Sequence, residues 1–133
     1  REVIKYASII ERETVLDEER PLTASVIYNR LQKGMKFQMC STVQYILGFQ
    51  KENLTYADIS IDSPYNSYIY DDIPGPICSP GLESIKAAFY PEDTDYLYFV
   101  VSPKLDGSMN FSADYNQFEQ DKAAYDKAYN AAH

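Results

Sequence analysis

Two glutamates, Glu11 and Glu13, stand two residues apart in a segment whose pattern favours an amphipathic helix. At about 100° per residue, one stripe of that helix carries five aliphatic side chains: Val3, Ile4, Ala7, Ile10 and Val15. Glu11 projects from the middle of the stripe, whereas Glu13 lies beside Tyr6 toward the polar flank. Because an ionised carboxylate among aliphatic side chains is costly, the pattern predicts a raised pKa for Glu11. A glutamic acid that is still protonated near neutral pH can donate its proton to a leaving group.

The same position also suits an ordinary buried glutamate that is neutralised by an arginine. Three arginines could supply the cation: Arg12, Arg20 and Arg30. An arginine beside Glu11 would hold its carboxylate ionised and lower its pKa, which removes the role of general acid. The residues alone leave both interpretations open.

The composition excludes several classes of protein. A chain of 133 residues fits one domain with a real core, and its hydrophobic share of 45% excludes a disordered chain. No apolar run approaches the roughly 20 residues that a membrane helix needs. Twelve basic against 20 acidic residues give a net charge of −8, which argues against binding to nucleic-acid phosphates. The 13 tyrosines, without a tryptophan, are compatible with a carbohydrate groove or with a tyrosine-rich core.

The cysteines and the histidine offer little metal or nucleophile chemistry. The chain has two cysteines, Cys40 and Cys78, and one histidine, His133. A zinc site of the Cys and His type is therefore not available, and a Cys-His nucleophile pair is disfavoured. Both cysteines lie in turn-like segments, and we expect their loops to converge on one wall of a cleft. A disulfide and two free thiols both stay open.

The elements that position these residues predict an α+β fold. We expect a single helix-rich domain over residues 1–133, with a small antiparallel hairpin and a long proline-rich loop. Helices are predicted at residues 3–15, 21–33, 43–47, 81–90 and 114–132. Pro21 opens the second helix and Gly34 ends it, while Ser41 or Thr42 caps the third and Gly48 ends it.

Strands and loops fill the rest of the chain. Residues 96–101 form the clearest strand, and a turn at Asp106 and Gly107 leads to a partner strand at residues 109–111. Residues 63–81 carry four of the seven prolines and are predicted to be mostly loop, with a short extended piece at residues 68–70. Such a long loop is where a binding site is expected.

Several short motifs follow one another in an order that resembles a known family. They are Ala7-Ser8-Ile9-Ile10-Glu11-Arg12-Glu13, Glu19-Arg20, Val26-Ile27-Tyr28-Asn29-Arg30-Leu31, Ser63-Pro64-Tyr65-Asn66-Ser67-Tyr68, Pro74-Gly75-Pro76-Ile77 and Asp95-Tyr96-Leu97-Tyr98-Phe99-Val100. In order and spacing, from residue 7 to residue 112, the chain resembles the MltG (YceG-like) endolytic murein transglycosylases. The resemblance implies a bacterial cell-wall enzyme without a cofactor, which acts on peptidoglycan glycan strands outside the cytoplasmic membrane.

The resemblance also implies an anchor and partners. The sequence starts at Arg1, without Met and on the first turn of a predicted helix, so we expect it to be a fragment of a longer protein. The resemblance implies that an upstream membrane helix anchors that protein. The domain itself would touch the membrane only through that anchor. Cell-wall synthases are candidate partners besides the glycan strands.

The resemblance assigns site residues as well. The family's catalytic acid is a glutamate of the first motif, and we assign it to Glu11 because the helical pattern predicts that glutamate to be buried. Glu13 and Glu19 are given supporting roles. Six candidates for holding the sugar are Asn29, Arg30, Gln38, Tyr65, Asn66 and Tyr68. Each also has a structural interpretation, since such residues can cap helices, brace them or close turns.

One acid is enough for the implied reaction. A glycosidase uses two carboxylates about 5 to 10 Å apart, whereas a lytic transglycosylase needs only one. Glu11 would protonate the oxygen of the β-1,4 bond between N-acetylmuramic acid and N-acetylglucosamine. As a carboxylate it would then take the proton of the muramic C6 hydroxyl, which closes on C1 and leaves a 1,6-anhydro end.

Three departures from the family pattern limit what is transferred. Met39-Cys40-Ser41 stands where the family has an acidic residue and a proline, so that carboxylate contact is absent. The loop at residues 73–77 is one proline short of the pattern. Met109 stands where the family often has a histidine, so no role of that histidine is transferred.

Two other functions stay open. Relatives have been labelled aminodeoxychorismate lyase, a pyridoxal-phosphate activity that needs a Schiff-base lysine and a phosphate cup; no such constellation is visible. A non-catalytic glycan-binding module would keep Glu11 as a buried hydrogen-bonding acid. A turnover assay separates such a module from an enzyme.

Overall fold

Helix α1 (Glu2–Glu13) is the central element of the fold. The computed structural model describes residues 2–49, 51 and 54–132, and in it α1 packs against α2 (Arg20–Lys33), α3 (Cys40–Leu47) and α4 (Leu82–Phe89). Because three helices surround it, all six residues from 5 to 10 are buried rather than a single stripe. The predicted buried stripe is therefore wrong at Ile4 and Val15, which are exposed.

The helix ends follow the predicted signals with one exception. Pro21 lies in the first turn of α2, and Gly34 ends that helix in the left-handed conformation at φ 70°. Gly48 ends α3 in the same way at φ 81°. The N-cap of α3 is Met39 and not Ser41 or Thr42, so that prediction is wrong.

A two-stranded hairpin and a long helix complete the α+β fold, as predicted. Strand β1 (Tyr98–Val101) pairs antiparallel with β2 (Met109–Ser112), and β1 begins two residues later than the sequence predicts. Helix α5 (Tyr115–Ala132) packs on this hairpin, and the ring of Phe118 stacks on Tyr98 at 5.2 Å. Among the described helices, none combines the length and the apolar character that crossing a bilayer requires.

The proline-rich loop contains a turn where the sequence predicts an extended piece. The carbonyl of Asn66 accepts the N–H groups of Ile69 and Tyr70 at 3.1 and 3.0 Å. The Asn66 side chain is fully buried, and its amide donates to the carbonyls of Ile59 and Ile61. Its side-chain oxygen accepts the N–H of Tyr68 at 2.9 Å. The buried side chain thus ties the turn to the segment before it, and residues 68–70 fold back instead of extending.

Candidate functional site

An open cavity of about 610 Å³ borders the C-terminal end of α1, a size typical of ligand sites. Four of the predicted site residues line it: Glu13, Arg30, Gln38 and Tyr68. Most of the remaining wall comes from residues 37–40, from β1 and from one face of α5, with Val26, Leu54, Ile59 and Leu97 completing it. Glu11 is not among the lining residues.

Glu13 presents a carboxyl group to this cavity. Its Oε2 accepts the backbone N–H of Ser41 at 2.8 Å. Burial raises the pKa of Glu13 above its ordinary value, and this effect exceeds the opposing contributions of Ser41 and of the Arg12 charge. The predicted place of Glu13 on a polar flank is therefore wrong, since its side chain is half-buried between the start of α3 and the cavity.

Glu11 has the opposite environment. Its Oε1 accepts the N–H of Gly81 at 2.9 Å and the hydroxyl of Ser84 at 2.8 Å, and Arg20 lies 3.7 Å away. These contacts hold the pKa of Glu11 below its ordinary value, with the Gly81 bond as the largest cause. The predicted rise in the pKa of Glu11 is wrong, and the alternative of an arginine-paired glutamate is confirmed, with Arg20 as the partner.

The joint between α1 and α4 explains why Glu11 is ionised. Gly81 is the N-cap residue of α4, so the Glu11 carboxylate lies at the positive end of that helix. Arg20 is buried, and its guanidinium also donates to Asp17 at 2.9 Å and to Ser84 at 2.8 Å. A charged, hydrogen-bonded carboxylate in this place fastens α4 to α1.

Glu13 explains the unusual start of α3. Ser41 is in the first turn of that helix, where backbone N–H groups have no partner within the helix. Glu13 supplies the missing acceptor across a gap of 28 residues in sequence. A cap that comes from another helix lets Met39 occupy the N-cap position without a capping side chain.

Arg30 lines the cavity and also links neighbouring segments of the chain. It is buried, and its guanidinium donates to the carbonyls of Leu97 at 2.7 Å, Lys36 at 2.6 Å and Phe37 at 3.0 Å. Burial lowers the pKa of Arg30. Arg30 also lies over the ring of Tyr98, 5.2 Å from its centre. The residue thus ties α2 to β1 and to the segment that carries Gln38.

Gln38 and Tyr68 lie on neighbouring segments of the cavity wall. Gln38 is exposed and adopts a left-handed backbone with φ 53°, which is costly for a residue other than glycine. Its N–H bonds to the Ser67 carbonyl at 3.1 Å and fixes this conformation. The Tyr68 hydroxyl lies 3.5 Å from the Cys40 sulfur, and burial raises the pKa of Tyr68. Tyr68 therefore keeps its proton and can donate it in a hydrogen bond.

Four other predicted residues lie outside this cavity. Asn29 donates to the carbonyls of Thr94 and Tyr96, both at 2.9 Å, and Asn66 is fully engaged in its turn. The Tyr65 ring packs on another tyrosine, and Glu19 accepts the N–H of Met109 at 3.2 Å. For these residues the structural interpretation fits the contacts better than a sugar contact does.

Both cysteines are free thiols. Cys40 lines the large cavity, whereas the Cys78 thiol donates to the Ser8 carbonyl at 3.4 Å and is not a lining residue. The expectation that the two share one wall is wrong. Within residues 2–49, 51 and 54–132, no group of three or more His, Cys, Asp or Glu side chains is arranged to hold a metal ion; His133 lies outside that range.

The sequence interpretation missed the contribution of α5 and a second, smaller cavity. The face of α5 toward the large cavity carries Tyr115, Phe118, Glu119, Lys122, Tyr125 and Asp126, and their helical spacing was a usable signal. The second cavity, of about 400 Å³, is lined by Arg12, Ser41, Gln44, Tyr45, Gly48, Phe49 and Ile77. No sequence pattern joins these residues, because they come from α1, from α3 with the residues after it, and from the proline-rich loop.

Comparison with known proteins gives consistent matches. The sequence profile of the YceG-like family matches residues 1–124. An endolytic murein transglycosylase of Bacillus subtilis (strain 168) is 40% identical over 124 residues, which cover 92% of this chain and 34% of the relative. An endolytic murein transglycosylase of Streptococcus pneumoniae (strain D39) is 38% identical over 105 residues, covering 74% and 19%.

A solved structure has the same fold. The crystal structure of a YceG-like protein from Listeria monocytogenes superimposes with a TM-score of 0.83 at 42% identity, covering 90% of this chain and 39% of that one. The chain thus spans about a third or less of the length of the two curated relatives, 34% and 19%.

Proposed function

Since the chain belongs to the YceG-like family, we propose that it is the catalytic domain of an endolytic murein transglycosylase. The proposed reaction cleaves the β-1,4 bond between N-acetylmuramic acid and N-acetylglucosamine and leaves a 1,6-anhydro end. The observation that carries the proposal is the Glu13 carboxyl, which lines a cavity of about 610 Å³ and has a raised pKa. A carboxyl group that stays protonated toward neutral pH is what a general acid requires.

The role that the helical pattern gave to Glu11 passes to Glu13. Glu11 is held ionised by Gly81, Ser84 and Arg20, so it lacks a proton to donate. Both glutamates belong to the motif that carries the family resemblance. Moving the role by two residues therefore keeps the family assignment and changes only the acid.

The proposed mechanism uses Glu13 twice. As an acid, it gives its proton to the glycosidic oxygen while the bond from that oxygen to C1 of the muramic sugar breaks. As a carboxylate, it then takes the proton from the C6 hydroxyl while that oxygen bonds to C1. The proton returns to Glu13, no water is consumed, and the Ser41 N–H continues to hold Oε2 throughout.

Three further residues are proposed to orient the sugar. The Gln38 amide and the Tyr68 hydroxyl supply hydrogen-bonding groups at the cavity wall, and Arg30 fixes the backbone around Gln38. A left-handed Gln38 is the kind of strained residue found at binding sites. We place the substrate, nascent peptidoglycan, outside the cytoplasmic membrane, where a segment beyond this chain would anchor the enzyme.

The test is a pair of isosteric variants in the full-length protein. Glu13→Gln keeps the shape and the acceptor for Ser41 but cannot deliver a proton, so release of 1,6-anhydromuramic ends should fall by at least about 100-fold. Glu11→Gln should retain most of the activity. Mass spectrometry of glycan strands after incubation measures both, and circular dichroism checks that both variants are folded.

Two other results would contradict the proposal. Loss of activity in Glu11→Gln with full activity in Glu13→Gln would return the acid to Glu11. A wild-type protein that binds glycan strands and releases no anhydro ends would be a binding module and not an enzyme.

A further inference from the structure

The two cavities adjoin across a ridge made of two residue pairs. In α1, Glu13 lines the large cavity and its neighbour Arg12 lines the smaller one. At the start of α3, Cys40 lines the large cavity and Ser41 the smaller one. The bond of 2.8 Å from the Ser41 N–H to Glu13 joins the two halves of the ridge. The proposed acid therefore stands at the boundary between two binding spaces.

The smaller cavity has the wall chemistry of a saccharide site. Tyr45 and Phe49 are exposed at 46% and 59%, and aromatic faces of this kind can stack on the apolar faces of sugar rings. The Tyr65 ring packs against Tyr45, at 4.9 Å between ring centres. Ile77 forms a buried apolar wall, and its N–H is tied to the Ser8 hydroxyl at 3.0 Å.

Arg12 adds a cation to this cavity. Its side chain is exposed, and within the part of the chain that the structure describes no carboxylate oxygen lies within 4.0 Å of its guanidinium. Acidic residues outnumber basic ones in this chain, whose net charge is −8, yet none of the described carboxylates pairs with Arg12. The Arg12 guanidinium is therefore available for a ligand. A guanidinium binds a carboxylate through two parallel hydrogen bonds.

We propose that the smaller cavity binds a muramoyl residue of the glycan strand on the side of Glu13 opposite the large cavity, and that Arg12 holds a carboxylate of that residue. The inference rests on the proposed function, because an enzyme that cuts within a strand must hold sugars on both sides of the bond. The carboxylate is either the free lactyl group of a bare strand or an acidic group of the attached stem peptide. Both present the same charge to Arg12.

The experiment measures binding, because removal of Arg12 also removes a charge that lowers the pKa of Glu13. The full-length protein carries Glu13→Gln to prevent turnover. Three ligands of equal length are compared by calorimetry: bare muramoyl strands, muramoyl strands with stem peptides, and chitooligosaccharides without a carboxylate. Arg12→Ala should weaken the binding of a carboxylate-bearing ligand by about tenfold and leave chitooligosaccharides unchanged.

Matched variants sharpen the test. Arg12→Lys should recover part of the lost affinity, and Lys33→Ala, which removes an exposed charge outside both cavities, should change none. Phe49→Ala should weaken all three ligands several-fold, since stacking does not depend on charge. Whichever muramoyl ligand loses affinity with Arg12→Ala identifies the source of the carboxylate.

Other outcomes overturn the proposal. Unchanged binding of both muramoyl ligands in Arg12→Ala, or an equal loss for chitooligosaccharides, removes the carboxylate site. If the wild type still releases anhydro ends in that case, the proposed function stands and only the second site falls. If the unmodified protein neither binds nor cleaves any strand, the proposed function and the site fail together.

Discussion

The two faces of α1 that carry Glu11 and Glu13 are built alike and behave differently. Each glutamate accepts a backbone N–H at the start of another helix, from Gly81 at α4 and from Ser41 at α3. The pKa of Glu11 is lowered and that of Glu13 is raised. A capping bond alone therefore does not set the protonation state of a carboxyl group.

The difference comes from what accompanies the cap. Beside Glu11 a second donor, Ser84, and the cation Arg20 stabilise the ionised form. At Glu13 the charge of Arg12 lowers the pKa by less than the loss of surrounding water raises it. The first face joins two helices, and the second holds the carboxyl group that we propose as the acid. This separation agrees with the tendency of functional sites to sacrifice local stability.

The largest effect on stability is expected when Arg20, which links Glu11 of α1 to Ser84 of α4, is removed. Arg20→Ala should cost about 2 kcal/mol of unfolding free energy, because it removes the buried guanidinium that donates to Ser84 and leaves the Glu11 carboxylate without its cation. It should also raise the pKa of Glu11 toward that of Glu13, since the Arg20 charge lowers it. Chemical denaturation measures the first effect.

The control is an ion pair on the surface of α4. Lys86 lies 3.6 Å from Glu83, with both side chains at least half exposed at 61% and 50%. Exposed pairs contribute little, so Lys86→Ala should leave the denaturation midpoint unchanged. An equal loss of unfolding free energy in Arg20→Ala and Lys86→Ala would show that Arg20 does not link α1 to α4.

A smaller effect is expected when the two glutamates are made neutral. Glu11→Gln should destabilise the protein at pH 7 by about 1 kcal/mol, after allowance for the partial exposure of the side chain. Glu13→Gln should leave stability unchanged or raise it, because the fold disfavours the charged form of Glu13. Thermal denaturation of both variants provides the comparison.

The pH dependence of these differences has opposite signs. A lowered folded pKa means that the contribution of Glu11 is complete above the unfolded value near 4.5 and is lost as the pH falls through the folded value. A raised folded pKa means that wild-type Glu13 costs stability as the pH rises from 4.5 through its folded value. If the stability differences between the wild type and Glu11→Gln and between the wild type and Glu13→Gln changed with pH in the same direction, the contrast between the two glutamates would be wrong.

Much of the fold follows from local signals in the sequence. Pro21, Gly34 and Gly48 mark helix ends whose chemistry is local. The aromatic and β-branched residues at 96–101, with the turn at Asp106 and Gly107, predict the hairpin. These features depend on residues close in sequence, so they need no knowledge of the tertiary structure.

The pKa of Glu11 was predicted with the wrong sign because the environment of this side chain is not local. A helical wheel gives the angle of a side chain but not what covers it, and α1 is covered on three sides. The partners of Glu11 and Glu13 lie 70 and 28 residues away in sequence, at Gly81 and Ser41. The same holds for Met39, whose position as N-cap depends on a carboxylate from α1.

The most direct test of the account is an NMR titration of the Glu11 and Glu13 carboxyl carbons in one sample. We expect Glu13 to titrate above 4.5 and Glu11 below it, since burial dominates at Glu13, whereas the hydrogen bonds from Gly81 and Ser84, helped by the Arg20 charge, dominate at Glu11. The difference between the two pKa values should become smaller in Arg20→Ala. A Glu11 that titrates above Glu13 would contradict the account and restore the acid to the position that the helical pattern predicts.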